Sequence, residues 1–464
     1  VTPAPRANGT PATRVALVRP SWEFPANPAE PYIHNRYFAP LSLAITAAML
    51  RQRGIGARIV DAHALRLSPG QVASLVEDCD MVFVTSSALD RWECPNVDIA
   101  PFVHCVQRLS RGSQQVHILG VHGTIRPTQV LAQTGARASI LGEPELAVLD
   151  LALGVDPAEI PGLCVWRDGA PVLTGGERPL LDLDSHPLPA FDLLPMHRYS
   201  YVLMGSRSVI LEGSRGCPHK CTTCLQAMYG PVYRRKSGKT LIREVRHAVE
   251  RHGARNIVFI DMEFCLNRPA VEELCDFLAR SRYDIRWCCN TRADAVDPPL
   301  LHKMKAAGCT LVNYGVESGD QQMVDRINKR LDLAVVERAI RITRETGIDS
   351  LAFFMLGLPG ETWEQMRTTT RFAEKLAPDY VSYHIFTPYP CTAAFDQVGA
   401  PSEPLFPASS GEHSEAELRR FIRDALLRFY LRPGFVVGTG RRLLRQRDLR
   451  RLLGQAQLFL SYVR

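Results

Sequence analysis

Three cysteines stand close together in GSRGCPHKCTTCLQ (213–226): Cys217, Cys221 and Cys224. Three thiolates on one short loop can each hold a different iron of a cubane cluster, leaving the fourth iron open to another ligand. An open position is what a catalytic metal site keeps, whereas a structural site is closed. The competing reading is a zinc site completed by His219 or by a distant ligand. Structural zinc usually draws on paired Cys-x-x-Cys elements, and the sequence has no second pair. The spacing favours a [4Fe–4S] cluster.

The elements that must carry this loop are legible in the surrounding pattern. The 464 residues are too many for one ordinary core, so two domains and a tail are expected. Residues 1–13 read as a Pro/Ala/Thr-rich disordered leader. Strands are expected at RVALVR (14–19), ARIVDA (57–62), DMVFVTS (80–86), VHILG (116–120) and RASILG (137–142), with PLSLAITAAMLRQRG (40–54) a helix among them. Strands this continuously apolar are covered on both faces, which makes 14–155 a doubly wound, Rossmann-like parallel sheet. A hairpin turning at Asp168-Gly169 and a Pro/Leu/Asp-rich linker fill 156–200.

A second alternating series spans 201–400. Its strands are SVILEG (208–213), RNIVFID (255–261), IRWCCNT (285–291), TLVNYGV (310–316), SLAFFMLG (350–357) and YVSYHIF (380–386). Helices are expected at about 239–252, 268–281, 297–307, 333–346 and 362–376. Six such units form a partial (β/α)6 barrel, whose chemistry belongs at the C-terminal ends of the strands. The cluster cysteines follow the first of these strands. Residues 401–464 read as a helical, Arg-rich C-terminal region. The fold class is therefore α/β.

Composition narrows the setting. Most of the other ten cysteines, such as Cys105, Cys164, Cys275 and Cys288, sit in apolar runs, where a thiol behaves as a small hydrophobe. A secreted disulfide framework is denser and shorter, so a reducing, cytoplasmic location is expected. The net charge of +7 is mild. The basic groups at 234–239 and 441–451 read as solvated faces, and no nucleic-acid partner is expected. No apolar stretch is long enough to span a bilayer, so no membrane partner is expected.

Taken in order, these segments resemble the radical S-adenosylmethionine (SAM) superfamily. The cysteine loop carries that resemblance, followed by VFIDMEF (258–264), WCCNTRADAV (287–296), YGVESGDQQMVDRINK (314–329) and FFMLGLPGET (353–362). The resemblance implies that SAM binds the open iron and is cleaved to a 5′-deoxyadenosyl radical. It points to Asp261, Arg292, Glu317, Ser318 and Gly357 as SAM contacts, with Gly360 allowing backbone approach. The bland readings are a helix cap for Glu317, solvated carboxylates for Asp261 and Glu263, and a structural ion pair for Arg292. Two positions depart from the pattern. Thr223 stands where relatives often have an aromatic residue, and Cys391 in FTPYPCT stands where they usually have Gly.

The N-terminal segments APLSLAITAAMLRQRGIGARIVDA, DMVFVTSS, ILGVHGTIRP and SILGEPE resemble the cobalamin-binding domain of cobalamin-dependent radical SAM enzymes. The resemblance implies cobalamin contacts at Ser86, Gly120, His122, Gly123, Thr124, Gly142 and Glu143. The Asp-x-His-x-x-Gly motif of cobalamin mutases is absent, since Asp61-Ala62-His63 follows the second strand and lacks the glycine. No histidine ligand to cobalt is expected, and Leu89, Arg91 and Trp92 are candidates for the lower face. The rival is a cofactor-free Rossmann-like domain.

Together these resemblances imply a class B radical SAM methyltransferase acting on an unactivated carbon, or a phosphinate phosphorus, of a small natural-product intermediate. The antibiotic-biosynthesis enzymes of the family are the nearest analogy. The cofactors implied are a [4Fe–4S] cluster, SAM and cobalamin. The partners implied are a small-molecule substrate and a flavodoxin or ferredoxin-type electron donor. Two other activities remain open. One is a cobalamin-dependent cyclase or oxidoreductase that transfers no methyl. The other is an RNA methylthiotransferase, which would need a second cluster's cysteines, for which Cys79, Cys94 and Cys105 lie close in sequence. A non-catalytic relic barrel is a further rival.

Overall fold

A computed structural model describes residues 13–22, 38–88, 90, 98–201, 203–229, 232–398 and 413–436. The first sheet holds β1 (Arg14–Arg19), β2 (Gly56–Asp61), β3 (Met81–Thr85), β4 (Gln115–Leu119), β5 (Ala138–Ile140), β6 (Leu163–Arg167) and β7 (Ala170–Leu173). Its order is β2-β1-β3-β4-β5-β6-β7. The first five strands run parallel, and the β6–β7 hairpin adds on antiparallel. The hairpin turns where expected, with φ positive at both Asp168 and Gly169, the twist a two-residue turn needs. β1 lies between β2 and β3, so the chain switches direction there. Ligands of open α/β sheets bind outside the strand C-termini at such a point.

The second sheet holds β8 (Ser208–Leu211), β9 (Asn256–Phe259), β10 (Arg286–Thr291), β11 (Cys309–Glu317), β12 (Asp349–Leu356) and β13 (Tyr380–Ile385). These six strands are parallel and in sequence order, a partial barrel. Helices join them, with ends set by local chemistry. Asp297, Asp332 and Thr362 cap helices Pro298–Ala306, Leu333–Thr346 and Trp363–Leu376, and Gly347 ends the second of these at φ 78°. Each strand expected in both series is present to within two residues at each end; the first sheet's fifth strand, β8 and β9 each stop two residues early.

The C-terminal region contributes helix Glu415–Leu431, opened by a Ser414–Glu417 capping box. It packs on the last barrel strand, where the Tyr430 hydroxyl bonds both the N–H and the C=O of Val381 at 3.1 and 3.0 Å. A side chain thus satisfies backbone groups of an edge strand. The linker ties the two sheets together. Ala190 N–H donates to Ala44 C=O, Tyr199 OH donates to Asp61, and Pro189 C=O meets His247 Nε2. Among the described residues no helix is long and apolar enough to cross a membrane.

Candidate functional site

The cluster loop leaves β8 through a short ribbon. Ser214–Arg215 pairs antiparallel with Arg234–Arg235, and Cys217, Cys221 and Cys224 lie in the segment between these two arms. Gly216 lets the two arms approach: its φ is 78°, and a Cβ there would lie 2.9 Å from Val232 C=O. The far side of the barrel mouth holds the loop. Thr222 N–H donates to Ile327 C=O, Asn328 Nδ2 to Lys220 C=O at 2.7 Å, and Ala394 N–H to Thr222 C=O.

The three cysteines are half-buried, whereas the other described cysteines are buried, apart from the exposed Cys391. Burial pushes the Cys217 thiol up to about 11, and it raises Cys221 against the opposing charges of Lys329 and Arg292. Metal binding must therefore displace protons here. Among the described residues no three His, Cys, Asp or Glu side chains converge on a single metal ion. A cubane places each thiolate on a separate iron, so three accessible thiols spread along one loop fit it.

Around the thiols the barrel mouth presents charges held in pairs. Glu317 ends β11 at φ 70°, and its carboxylate accepts from the buried Lys329 ammonium at 2.9 Å. Glu263 accepts from Arg292 N–H at 2.8 Å and is pushed up to about 7 by burial. Ser318 is buried, its hydroxyl 3.0 Å from Thr369 Oγ1. Gly357 has φ 76°, and its N–H donates to the buried Glu361 carboxylate at 2.7 Å. A Cβ on Gly357 would lie 2.9 Å from Leu418 of the C-terminal helix, so that helix covers this turn.

Two of the residues expected to contact SAM also hold parts of the protein. Asp261 is a buried clamp, accepting from Gly213 N–H and from Ser214 Oγ at 2.5 Å, and so fixes the start of the cluster loop. The Arg292 guanidinium grips Asp294 through two bonds and also donates to the C=O groups of Lys329 and Arg330. Four of its five N–H donors are spent on protein. The ion pair expected as its alternative reading is formed, with Asp294. Lys329 escaped the sequence reading, although it closes the quoted YGVESGDQQMVDRINK segment. Cys391 sits at φ 69°, a backbone position that suits glycine and so explains the residue usual there.

A second site lies at the strand ends of the first sheet. A small cavity there is lined by Ser42, Thr85, Ser87, Asp90, Leu119, Gly120, Glu143, Pro144, Met228 and Tyr229. Gly120 forms its floor at φ 99°, and a Cβ there would meet Ser87 Oγ and Thr85 Oγ1 at 2.8 Å. Asp90 reaches it by accepting from Ser42 N–H and Oγ at the first turn of helix Leu41–Gln52. Met228 and Tyr229 come from the cluster loop itself, so one loop serves both places.

Of the expected cobalamin contacts, Gly120 and Glu143 line this cavity. Thr124 and Gly142 sit against its Met228 wall: Thr124 Oγ1 lies 3.2 Å from Met228 Sδ and accepts from Gly142 N–H. Ser86, His122 and Gly123 lie beneath as stitching. Ser86 Oγ accepts from His122 N–H and Gly123 N–H, and the Ser86 C=O is 2.7 Å from the fully buried His122 Nδ1. The Glu143 carboxylate turns away to Arg215 and Arg234. Leu89, Arg91 and Trp92 lie outside the described residues. Asp61 pairs with the buried Arg19 and caps Ala64 N–H, and His63 Nδ1 accepts from Trp22 N–H. Ser42, Thr85, Ser87, Asp90, Met228 and Tyr229 were not foreseen. Only the apolar Met228-Tyr229 pair, inside a polar loop, gave a usable signal.

Comparison with known proteins agrees with this geometry. The profile of the Radical SAM superfamily matches residues 211–373. An uncharacterized methyltransferase of Pyrococcus horikoshii is 26% identical over 419 residues, covering 86% of this chain and 89% of that one. The anaerobic magnesium-protoporphyrin IX monomethyl ester cyclase of Rubrivivax gelatinosus is 29% identical over 65% of this chain, and the match spans only 57% of the cyclase. Among solved structures, the radical SAM methyltransferase TsrM of Kitasatospora setae, with cobalamin and a [4Fe–4S] cluster bound, superposes with a TM-score of 0.68 at 18% identity over 83% of this chain and 78% of that one. Residues 211–373 carry a radical SAM domain, and over 83% of its length the chain shares the fold of TsrM.

Proposed function

We propose that the protein is a cobalamin-dependent radical SAM methyltransferase acting on a small molecule. The observation that carries this reading is the shared loop: Cys217, Cys221 and Cys224 are followed by Met228 and Tyr229, which wall the cavity at the first sheet's strand ends. A cluster bound by the thiols would supply the electron that cleaves SAM, and cobalamin in the neighbouring site would supply the methyl group. The chain's own residues do the positioning. Asp261 and Arg292 fix the two sides of the cluster loop's surroundings, and the Lys329–Glu317 pair offers a cation and an anion to the zwitterionic end of SAM. Gly357, having no side chain, lets the C-terminal helix close over its turn. A substrate held between the two sites meets both reagents oriented, which is worth roughly 7 kcal/mol or more over free encounter.

The expected substrate is a natural-product intermediate methylated at an unactivated carbon or a phosphinate phosphorus, with electrons from a flavodoxin or ferredoxin. The test is stoichiometry. Each methylated product should accompany one S-adenosylhomocysteine and one 5′-deoxyadenosine, and deuterium at the target carbon should appear in the deoxyadenosine. Deoxyadenosine without S-adenosylhomocysteine, and a product short of hydrogens, would favour the cyclase reading that the Rubrivivax relative supports. The methylthiotransferase reading fares worse. Cys79 and Cys105 are each buried in the core, and the C-terminal region described is helical.

A further inference from the structure

Between the two sites lies a buried ionic network. Arg215, fully buried and two residues before Cys217, donates to Glu212 at 2.9 Å, to Glu145 at 2.8 Å and to Glu143 at 2.5 Å. Arg234, its register partner on the other arm of the ribbon, pairs with the same Glu143 carboxylate. Arg178, from the linker, bonds the C=O groups of Glu143, Leu141 and Gly162. Lys236 continues the chain of charges from Glu212 to Glu244.

The arrangement is specific. The cluster loop is flanked by a two-stranded ribbon, and an arginine from each strand grips one carboxylate on the first sheet's last parallel strand turn. Glu143 also lines the cavity, one residue after Gly142, above which the loop backbone passes. A Cβ on Gly142 would lie 3.4 Å from Met228 C=O. So the spacing of the loop from the first sheet is set at both ends, by contact at Met228 and by charge at Glu143.

We propose that Glu143 is a positioning residue that fixes the cluster-bearing loop relative to the first sheet's cavity, and hence one cofactor relative to the other. The proposal rests on the two-cofactor reading above. It assigns Glu143 a task distinct from contacting cobalamin. A buried carboxylate shared by two guanidiniums is costly to leave half-paired, so the loop has one seated position and no gradual series of them.

The experiment uses the full chain, reconstituted anaerobically with iron, sulfide and hydroxocobalamin. The microwave-power saturation of the cob(II)alamin EPR signal is read with the cluster oxidised and then reduced, since a paramagnetic cluster nearby speeds cobalt relaxation. In Glu143→Gln, iron content should stay as in the wild type, and the cobalt signal is read per bound cobalamin. The relaxation enhancement should fall by about half or more, and amide exchange across 216–229 should quicken about tenfold. Arg234→Gln, which removes one arm only, should do the same more weakly. Tyr430→Phe, which loosens the far barrel edge, should lower thermal stability and leave both readouts unchanged. Wild-type relaxation and exchange in Glu143→Gln would overturn the proposal. If the wild type takes up cluster but no cobalamin, the two-cofactor reading fails by itself, and the exchange arm alone decides whether Glu143 seats the loop.

Discussion

The two sites are built from different materials. The barrel mouth is made of groups with strong chemistry, three thiols and a ring of charges, and each charge is held by a named partner, as Glu317 is by Lys329. The cavity of the first sheet has hydroxyls and glycine at its base, Ser42, Thr85, Ser87 and Gly120, with apolar Leu119, Pro144 and Met228 beside them and its two carboxylates, Asp90 and Glu143, already bonded to protein. The first kind of site selects by donor type and charge, so changing one atom at a donor should matter more than changing volume. The second selects by space, so adding volume should matter more than removing a polar atom. Substituting in each place tests whether that division is real.

The largest effect is expected at the thiols. Cys221→Ala should abolish the iron–sulfur absorbance and the formation of deoxyadenosine from SAM, while cobalamin uptake persists. Full iron content in this variant would break the assignment of the loop. The next effect should come from volume in the other site. Gly120→Val forces a branched side chain onto φ 99° and into three atoms of Thr85 and Ser87 within 2.9 Å. That costs about 2–5 kcal/mol of strain and overpacking. Cobalamin retention should collapse with iron content unchanged. If iron falls as well, the two sites are not separable in the way their materials suggest.

A smaller effect is expected from charge alone. Glu317→Gln keeps the shape of the side chain and removes its charge, leaving the buried Lys329 ammonium without its anion. The loss of a charge-assisted bond is worth about 1.5–3 kcal/mol, so SAM affinity should weaken by roughly ten- to a hundredfold. Equilibrium binding of SAM to the cluster-loaded protein measures this, and iron content serves as the control. An unchanged affinity would return Glu317 to a purely structural role.

The same division explains what could be read from the sequence. Strands β1, β3 and β4 are almost wholly buried, so their apolar runs announce themselves. The three thiols are legible because their chemistry needs only a local spacing. Asp261 and Arg292 were read at strand ends, but the distant backbone groups they hold were not. Asp261 takes an N–H 48 positions away, and Arg292 takes C=O groups 37 and 38 positions on. Glu143 shows the same limit more sharply. Its arginines are 72 and 91 residues distant, and nothing local in SILGEPE reports them. Ser42 and Asp90 meet only because the first helix starts beside the loop after β3.

The smallest effect concerns a polar group belonging to neither site. His117 sits in the middle of β4, fully buried and stacked on Phe83 with ring centroids 5.0 Å apart. Among the described residues neither of its ring nitrogens finds a hydrogen-bond partner. Burial, helped by the charge of Arg137, lowers its pKa from 6.5 to about 4. The unfolded chain therefore binds a proton that the folded chain refuses over that interval. The contribution of the neutral ring to stability is intact above about pH 6.5 and is lost progressively as the pH falls toward 4, below which the loss stops growing. At pH 5 the loss is about 1–2 kcal/mol. His117→Leu removes the proton uptake and leaves an apolar side chain among apolar neighbours. Its thermal midpoint should fall less between pH 7 and pH 5 than that of the wild type, with iron and cobalamin content unaltered. The barrel offers the contrast: its interior polar pair, Asn290 and Asn313, bond each other at 2.9 Å and carry no titrating group. If His117→Leu keeps the full acid sensitivity, the weakness lies in other buried groups of the same kind. His63 and His186 are likewise lowered to about 4, mainly by burial. The linker histidine His186, 3.5 Å from Glu244 in the charge network beside the ribbon, is then the next to replace, because its protonation would disturb the seat of the cluster loop and not merely the core of the first sheet.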